Sequence, residues 1–329
     1  MNALKTFLVL SLLNLCASPI SFAQGCCAGG GGSPIAGGAS QGVLQKDQID
    51  LSVNFQRTYS DKFSGVDPAI PQLLESYNTN YLFTRISYGV TKDLTLSIAG
   101  GYYFNKTQYG AEYIDTINSS GIGDLIIFPR YDVWHRQTET SVWEATLGAG
   151  LKIPIGKYND SLILFQSQTV TLYQQKPPGV QPTTGSNDFI FYGFLLHGFP
   201  KKNFKVFTSL QYILKGWNPK GEKFGDYADL SLYIAKPFAK NFSATLSGKY
   251  EYIGKLKRNA DLPVANYDVN SFGSNKIFLV PQISYTCFHT LTFYGLYEFP
   301  LYQKVNGGQV ASDVNFTLGI AYRFFVHHK

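Results

Sequence analysis

Val314-Asn315-Phe316-Thr317-Leu318-Gly319-Ile320-Ala321-Tyr322-Arg323-Phe324 alternates apolar and polar residues without a break. Val314, Phe316, Leu318, Ile320, Tyr322 and Phe324 share one face, and Asn315, Thr317, Gly319, Ala321 and Arg323 share the other. Successive side chains of a strand point to opposite sides, so a period of two predicts a strand with one apolar and one polar face. The run is about as long as the ~9–11 residues that a tilted strand needs to cross a bilayer. Similar runs recur upstream from Gln48. Leu51, Val53 and Phe55 oppose Ser52, Asn54 and Gln56. Leu82, Thr84, Ile86, Tyr88 and Val90 oppose Tyr81, Phe83, Arg85, Ser87 and Gly89. Leu94, Leu96, Ile98 and Tyr102 oppose Thr95, Ser97, Ala99 and Gly101. Trp143, Ala145, Leu147, Ala149 and Leu151 oppose Glu144, Thr146, Gly148 and Lys152. Phe242, Ala244, Leu246 and Tyr250 oppose Ser243, Thr245, Ser247, Lys249 and Glu251. Asp124–Trp134, Asp188–His197 and Lys276–Thr286 are apolar on both faces for part of their length, and Pro129 and Pro281 each remove a ladder donor. These three are read as strands with a local irregularity.

The connections order the runs. Short turns fall at Thr91–Asp93, Arg136–Glu139, Pro200–Asn203, Lys236–Asn241 and Thr286–Thr290. Long connections fall at Ser60–Ser76, Lys106–Ser120, Pro154–Asn187, Lys215–Gly225, Gly254–Ser274 and Gln303–Ser312. Strict interleaving of short and long is the habit of outer-membrane barrels, with short periplasmic turns and long outer loops. Six hairpins give an all-β, antiparallel, up-and-down transmembrane barrel of about twelve strands with both ends periplasmic. An even, closed count leaves no unpaired sheet edge in lipid.

Composition agrees. The 329-residue chain has 23 Tyr and 25 Phe but one Met, and 15% charged residues, well under the ~25% usual for a soluble domain. Aromatic rings collect at both interfaces of a membrane barrel. No stretch past the start has eighteen or more apolar residues without a charge, which excludes helical spans. The net charge of +6 counts the leader and the tail, and no nucleic-acid partner is inferred from it. Met1–Lys5 is basic, Thr6–Ala17 apolar, and Ser21-Phe22-Ala23 small-residue-rich, the layout of a secretory signal over residues 1–23 cleaved after Ala23. Residues 24–47 read as a flexible Cys/Gly-rich periplasmic segment, 48–325 as the barrel and 326–329 as a short tail. Cys16 leaves with the signal. Cys26, Cys27 and Cys287 remain, an odd number in an oxidising compartment. A bridge to Cys287 and lipidation of Cys26 in Ala23-Gln24-Gly25-Cys26 are both open readings. No His or Cys at ligand spacing accompanies the pair, so no metal or other cofactor is expected.

With the apolar faces turned to lipid, the other faces line the lumen. They carry Arg85, Asp124, Arg130, Asp132, Glu144, Lys152, Lys205, Asp229, Lys249, Glu251, Lys276, Glu298 and Arg323. Charges at this density fit a polar interior and not hydrocarbon. In one reading they set the selectivity of a pore; in the other they pair across a small lumen and hold it shut. Pro154–Asn187 is the longest connection and contains Leu162, Ile163, Leu164, Phe165, Val170, Leu172 and Tyr173. It is expected to fold back as a constriction or a ligand-gathering loop, with a protruding strand pair as the alternative.

Two resemblances add to this. Phe316–Phe324 resembles the signal read by the barrel-assembly machinery, although Phe325-Val326-His327-His328-Lys329 follows it. Gly121-Ile122-Gly123-Asp124-Leu125, Gly150-Leu151-Lys152-Ile153-Pro154-Ile155-Gly156 and Gln181-Pro182-Thr183-Thr184-Gly185-Ser186-Asn187-Asp188 resemble the "MetA-pathway of phenol degradation" family of outer-membrane proteins. The likeness is best over roughly residues 80 to 200. It implies a barrel linked to the uptake of hydrophobic or aromatic compounds, and it implies no catalysis.

An enzyme is not expected. His135 and His289 lie in or beside short turns, His197 near a strand end, and His327 and His328 in the tail. No Gly-x-Ser-x-Gly elbow, His-Glu-x-x-His helix or phosphate loop is present. The expected function is passive passage of a small solute through the outer membrane, with membrane lipid and lipopolysaccharide as surroundings. The alternative is a non-transporting barrel for surface binding or adhesion, or with a structural role. Adhesion would rest on the loop aromatics Tyr109, Tyr113, Trp217, Phe224, Tyr267 and Phe272.

Overall fold

The computed structural model describes residues 42–64, 75–111, 114–259, 272–307 and 309–326. The expected signal, Cys26 and Cys27, Tyr113, Tyr267 and His327–Lys329 lie outside these residues. Twelve antiparallel strands form the wall: β1 (Gln48–Ser60), β2 (Ser76–Gly89), β3 (Leu94–Ala111), β4 (Ile114–Ile122 and Asp124–Gln137), β5 (Val142–Pro154), β6 (Asp188–Phe199), β7 (Phe204–Leu214), β8 (Tyr227–Pro237), β9 (Phe242–Ile253), β10 (Ser274–Cys287), β11 (Leu291–Tyr297 and Phe299–Val305) and β12 (Val314–Phe325). Each strand pairs with its neighbours in sequence, and β1 pairs with β12 from Gln48↔Phe325 to Tyr59↔Val314. The sheet is therefore a closed barrel, as expected from the interleaved connections. No helix among the described residues is long and apolar enough to cross a membrane.

Burial follows the period of two along most of the wall. On β8, Tyr227, Asp229, Ser231, Tyr233 and Ala235 are buried while Leu230, Leu232 and Ile234 are exposed. On β9, Thr245, Ser247, Lys249 and Glu251 are buried between exposed Leu246 and Tyr250. The inside of the barrel is thus its core, and the outside is a continuous apolar surface. An exposed apolar surface of this extent has no stable place in water and matches the lipid-facing band of a membrane barrel.

The weak runs have a structural explanation. Pro129 and Pro281 both project outward, where no polar side chain is needed. The ladder between β4 and β5 stops at Ile127↔Leu151 and resumes at Arg130↔Gly148, and that between β10 and β11 stops at Leu279↔Phe299 and resumes at Gln282↔Leu296. Each proline therefore breaks pairing with one neighbour while Leu96↔Pro129 and Leu246↔Pro281 remain paired on the other side. The second apolar face of these strands is the lumenal one: Ile126 and Phe128, Ile190, Tyr192 and Phe194, Phe278 and Val280 are all buried inside.

Two long connections are shorter than the sequence implied. Lys106–Ser120 is not a loop: β3 runs to Ala111 and β4 starts at Ile114, so the pair continues beyond the wall as a two-stranded extension. Its polar residues continue the period of two with Asn, Gln and Thr, which read as loop composition when position in the sheet is unknown. Gln303–Ser312 likewise contains the end of β11 and a short pair, Gln309–Val310 with Phe63–Ser64.

Leu232 is 56% exposed at mid-strand on the outer face. Leu232→Arg is expected to destabilise the barrel by about 2–4 kcal/mol in phospholipid vesicles, read as a lowered urea midpoint. An unchanged midpoint would show that this face is not in hydrocarbon.

Candidate functional site: the barrel lumen

Three charged networks lie on the inner wall. At the short-turn end, Asp50 of β1 accepts hydrogen bonds from Arg85 of β2 at 3.1 Å and from Arg323 of β12 at 2.9 Å. The Asp50 carboxylate is 1% exposed and ties three adjacent strands across the barrel's closing seam. Nearer the long-loop end, Lys152 of β5 contacts Asp124 of β4 and lies 3.3 Å from Asp188 of β6. Asp188 also accepts from Lys215 at 2.9 Å and from Ser186 at 2.7 Å. On the opposite wall, Lys249 of β9 donates to Glu298 at 2.7 Å and lies 3.6 Å from Glu251. Asp229 of β8 accepts from Ser231 at 2.9 Å, and Lys276 of β10 donates to Ser312 at 2.9 Å.

Between these networks runs an apolar, mostly aromatic band. Phe83, Phe128, Tyr192, Phe194, Phe207 and Tyr233 belong to one buried cluster spanning β2 to β8. Phe128 meets Tyr192 edge-on at 5.6 Å, and Phe207 stacks on Tyr233 at 4.5 Å. Phe128 also covers Gly148 and Gly150 of β5, where an added Cβ would come within 2.9 and 2.7 Å of the ring. Phe278, Val280 and Leu296 form a smaller cluster on the other wall. Polar groups interrupt the band. Ser52 Oγ, Tyr192 Oη, Thr245 Oγ1 and Gln282 Nε2 are buried on the inner face and have no hydrogen-bond partner among the described residues.

Chain segments enter the lumen from both ends. At the short-turn end, the residues before β1 turn inward at Asp47, which has φ 61°. Leu44 is 3% exposed, and its N–H donates to Thr95 Oγ1 of β3 at 2.7 Å. The Val43 N–H donates to Glu144 of β5 at 3.3 Å. Gly42 lies against the same carboxylate, and a Cβ there would require the Glu144 side chain to move. Residues 42–47, part of the segment expected to be flexible, therefore cross the inside of the short-turn mouth.

At the other end the longest connection divides in two. Ser161–Gln166 and Thr171–Gln175 form a hairpin whose Ile163, Leu164, Phe165, Leu172 and Tyr173 are exposed. The apolar run expected to fold back is thus the protruding pair. The inward part is the strap from Pro177 to Asn187, in which Val180, Gln181, Thr183 and Ser186 are buried. It sits on the inner face of β2 and β3: Lys106 Nζ donates to the Gln181 carbonyl at 2.7 Å and Tyr77 Oη to the Gly179 carbonyl at 3.4 Å. The Gln181 amide braces Asp160 and Lys176 at the hairpin's base. Partial burial pushes the Asp160 carboxyl up, but the hydrogen bond and charge of Lys176 outweigh it and hold the group below its ordinary range.

Twelve of the residues expected to line the lumen fall on the inward parity of their strands, and Glu298, between the two segments of β11, is buried at 1% exposure. The structure joins Asp124 with Lys152, Lys249 with Glu251 and Glu298, and Arg85 with Arg323 through Asp50. Arg130 lies deeper, 2% exposed, beneath Ser97. Asp132, Glu144 and Lys205 stay near the short-turn end and join none of the three networks. Sequence reading missed Asp50, Asp188, Lys106 and Lys215. Asp50 has the parity of Ser52 and was legible by extending β1 two residues. Asp188 heads a strand apolar on both faces, where alternation gives no parity. Lys106 and Lys215 fell in segments read as loops. Cys287 is buried and has no disulfide partner among the described residues; its candidate partners, Cys26 and Cys27, lie outside them.

Lys249→Met leaves the fully buried Glu298 without its 2.7 Å partner and is expected to cost about 3–5 kcal/mol, read as a lower temperature for the heat-dependent shift in gel mobility. Lys249→Met with Glu298→Leu is expected to recover most of the loss, because replacing both members of a buried pair is nearly neutral. Asp160, with its carboxyl held low, contributes to the strap's order above the unfolded-state value and loses that contribution as pH falls through the folded one. Hydrogen exchange in residues 176–183 is expected to rise below about pH 4, and Asp160→Asn should show that faster exchange already at neutral pH.

The sequence matches no family model and no curated protein. Solved structures do share the architecture. The crystal structure of the COG4313 outer membrane channel from Pseudomonas putida F1 superposes with a TM-score of 0.63 at 12% identity, covering 86% of this chain and 97% of that one. The NanC porin aligns at a TM-score of 0.44 and 12% identity over 83% of this chain and 98% of that one. A Pseudomonas aeruginosa FadL homologue aligns at 0.40 and 10% over 85% and 90%. Identities this low establish the fold alone: a closed twelve-stranded barrel of the outer-membrane type.

Proposed function

We propose that the protein is an outer-membrane channel for passive uptake of small solutes, and that its solutes are apolar or aromatic. The observation that carries this reading is the inner wall itself. Ser52, Tyr192, Thr245 and Gln282 present buried polar atoms without partners among the described residues, on β1, β6, β9 and β10. Each such group costs about 1–3 kcal/mol unless something hydrogen-bonds to it. Water or a passing solute is the fitting partner. Phe83, Phe128, Tyr192, Phe194, Phe207 and Tyr233 then offer ring faces along the path, which favours apolar and aromatic solutes over sugars.

The likeness to the MetA-pathway family supports the same substrate class, and the superposition on a solved outer-membrane channel is compatible with it. The short turns then face the periplasm and the long loops the exterior. In this state the Gly42–Asp47 segment narrows the periplasmic mouth and the Pro177–Asn187 strap narrows the outer one. Passage requires that both yield. Asp50 and Lys249 hold the wall while they do, since their networks link strand to strand; the Lys152 network also reaches the strap, through Asp188 and Ser186 at 2.7 Å.

Surface binding is the second reading, favoured by the exposed Ser161–Gln175 hairpin. It contains no charged residue and shows Phe165 at 54% and Tyr173 at 68% exposure. Planar-bilayer conductance separates the two. Deleting Val43–Lys46 is expected to raise single-channel conductance well above that of the full chain, and in vesicles to raise uptake of phenol-sized solutes over that of disaccharides. Deleting Ser161–Gln175, which lies outside the lumen, should leave conductance unchanged. A silent bilayer for the Val43–Lys46 deletion, with folding confirmed by heat-dependent mobility, would refute the channel; loss of surface binding on deleting the hairpin would then favour the second reading.

A further inference from the structure

The short-turn rim is chemically lopsided. The three adjacent turns that join β4 to β5, β6 to β7 and β8 to β9 carry Arg136, Lys201, Lys202, Lys236 and Lys240, all exposed, against Glu139 as their one acid. Arg136, Lys201, Lys202 and Lys236 have no carboxylate within 4.0 Å among the described residues. The other half of the rim is balanced: Lys92 lies 3.9 Å from Asp93 and Lys46 4.0 Å from Asp47.

A belt of rings lies directly beneath the basic arc. Trp134 and Trp143 are 6.0 Å apart, and Trp143 stacks on His197 at 3.8 Å. Phe199 follows, 5.7 Å from Phe204. Beyond β8, Phe238 lies 5.9 Å from Phe242, and the two are 62% and 42% exposed. Outward-facing rings mark the depth of a membrane's interface. They set the height of the cations above them, which is that of the lipid phosphates.

We propose that the short-turn rim from β4 to β9 is a binding surface for anionic phospholipid headgroups in the leaflet it faces. This rests on the membrane-spanning reading of the barrel and not on transport. A zwitterionic headgroup brings its own ammonium to the site and neutralises the attraction. An anionic one leaves its phosphate charge to several cations at once, each near the surface. The ring belt holds the acyl chains below, so the surface selects a lipid and not a soluble anion.

The test is native mass spectrometry of the intact barrel released from a bilayer of phosphatidylethanolamine, phosphatidylglycerol and cardiolipin. The wild-type barrel is expected to retain phosphatidylglycerol and cardiolipin in preference to phosphatidylethanolamine. Arg136→Gln/Lys201→Gln/Lys202→Gln/Lys236→Gln should lose that preference, by on the order of fivefold for each cation removed. Lys92→Gln, on the balanced arc, should keep it. If the quadruple variant does not fold, as judged by heat-dependent mobility, Lys201→Gln/Lys202→Gln in the exposed turn gives the same readout. Equal retention of all three lipids, or an unchanged preference in the variants, overturns the proposal. Displacement of the bound lipid by millimolar inorganic phosphate overturns it as well, because the surface would then read free phosphate.

Discussion

Backbone hydrogen bonding in hydrocarbon is the constraint on which this structure depends. A strand facing lipid has no water to satisfy its N–H and C=O groups, so every strand needs two neighbours and the sheet must close. Closure falls on the ladder between β1 and β12, which joins the two ends of the barrel domain from Gln48↔Phe325 to Tyr59↔Val314. Asp50 and Arg323 are partners in that ladder and also an ion pair inside it. The seam is thus held twice, by backbone pairing in the wall and by a buried carboxylate between two guanidinium groups. Pro129 and Pro281 show how much the constraint tolerates, since each gives up pairing on one side only.

Closure also inverts the ordinary relation between core and surface. Aliphatic side chains face outward, and the buried interior holds Asp50, Arg130, Lys249 and Glu298. Buried charges are stable only when paired and hydrogen-bonded. The three networks meet that demand locally: those of Asp50 and Lys152 join adjacent strands, and Lys249 of β9 reaches past β10 to Glu298 in β11.

The two mouths are narrowed by different means. At one end, backbone amides of Val43 and Leu44 reach Glu144 and Thr95, a neutral and a single-charge hydrogen bond. At the other, the strap is braced by Gln181, Lys106 and the Asp160–Lys176 pair. The strap is tied further by Ser186, which donates to Asp188 at 2.7 Å, and by Asn218, which donates to the Thr184 carbonyl at 3.0 Å.

Much was determined by the sequence alone. Alternation in Val314–Phe324, Phe242–Glu251 and their counterparts fixed which side chains face lipid, because a strand's geometry allows only two faces. The interleaving of short and long connections fixed closure and the number of strands. Inward charges on the alternating strands, such as Arg85, Glu144, Lys152, Lys249, Glu251 and Arg323, followed from parity. What only the tertiary structure decided was what lies inside. The apolar lumenal band comes from strands without alternation, such as Asp188–Phe199, whose inner and outer faces look alike until the wall assigns them. Asp188 meeting Lys152 and Lys215, or Lys249 meeting Glu298, joins residues tens of positions apart, and a local pattern records no such distance. Leu44 entering one mouth and the Pro177–Asn187 strap entering the other, while the more apolar hairpin stays out, depended on available volume. Volume belongs to the closed barrel as a whole, and no stretch of the chain encodes it by itself.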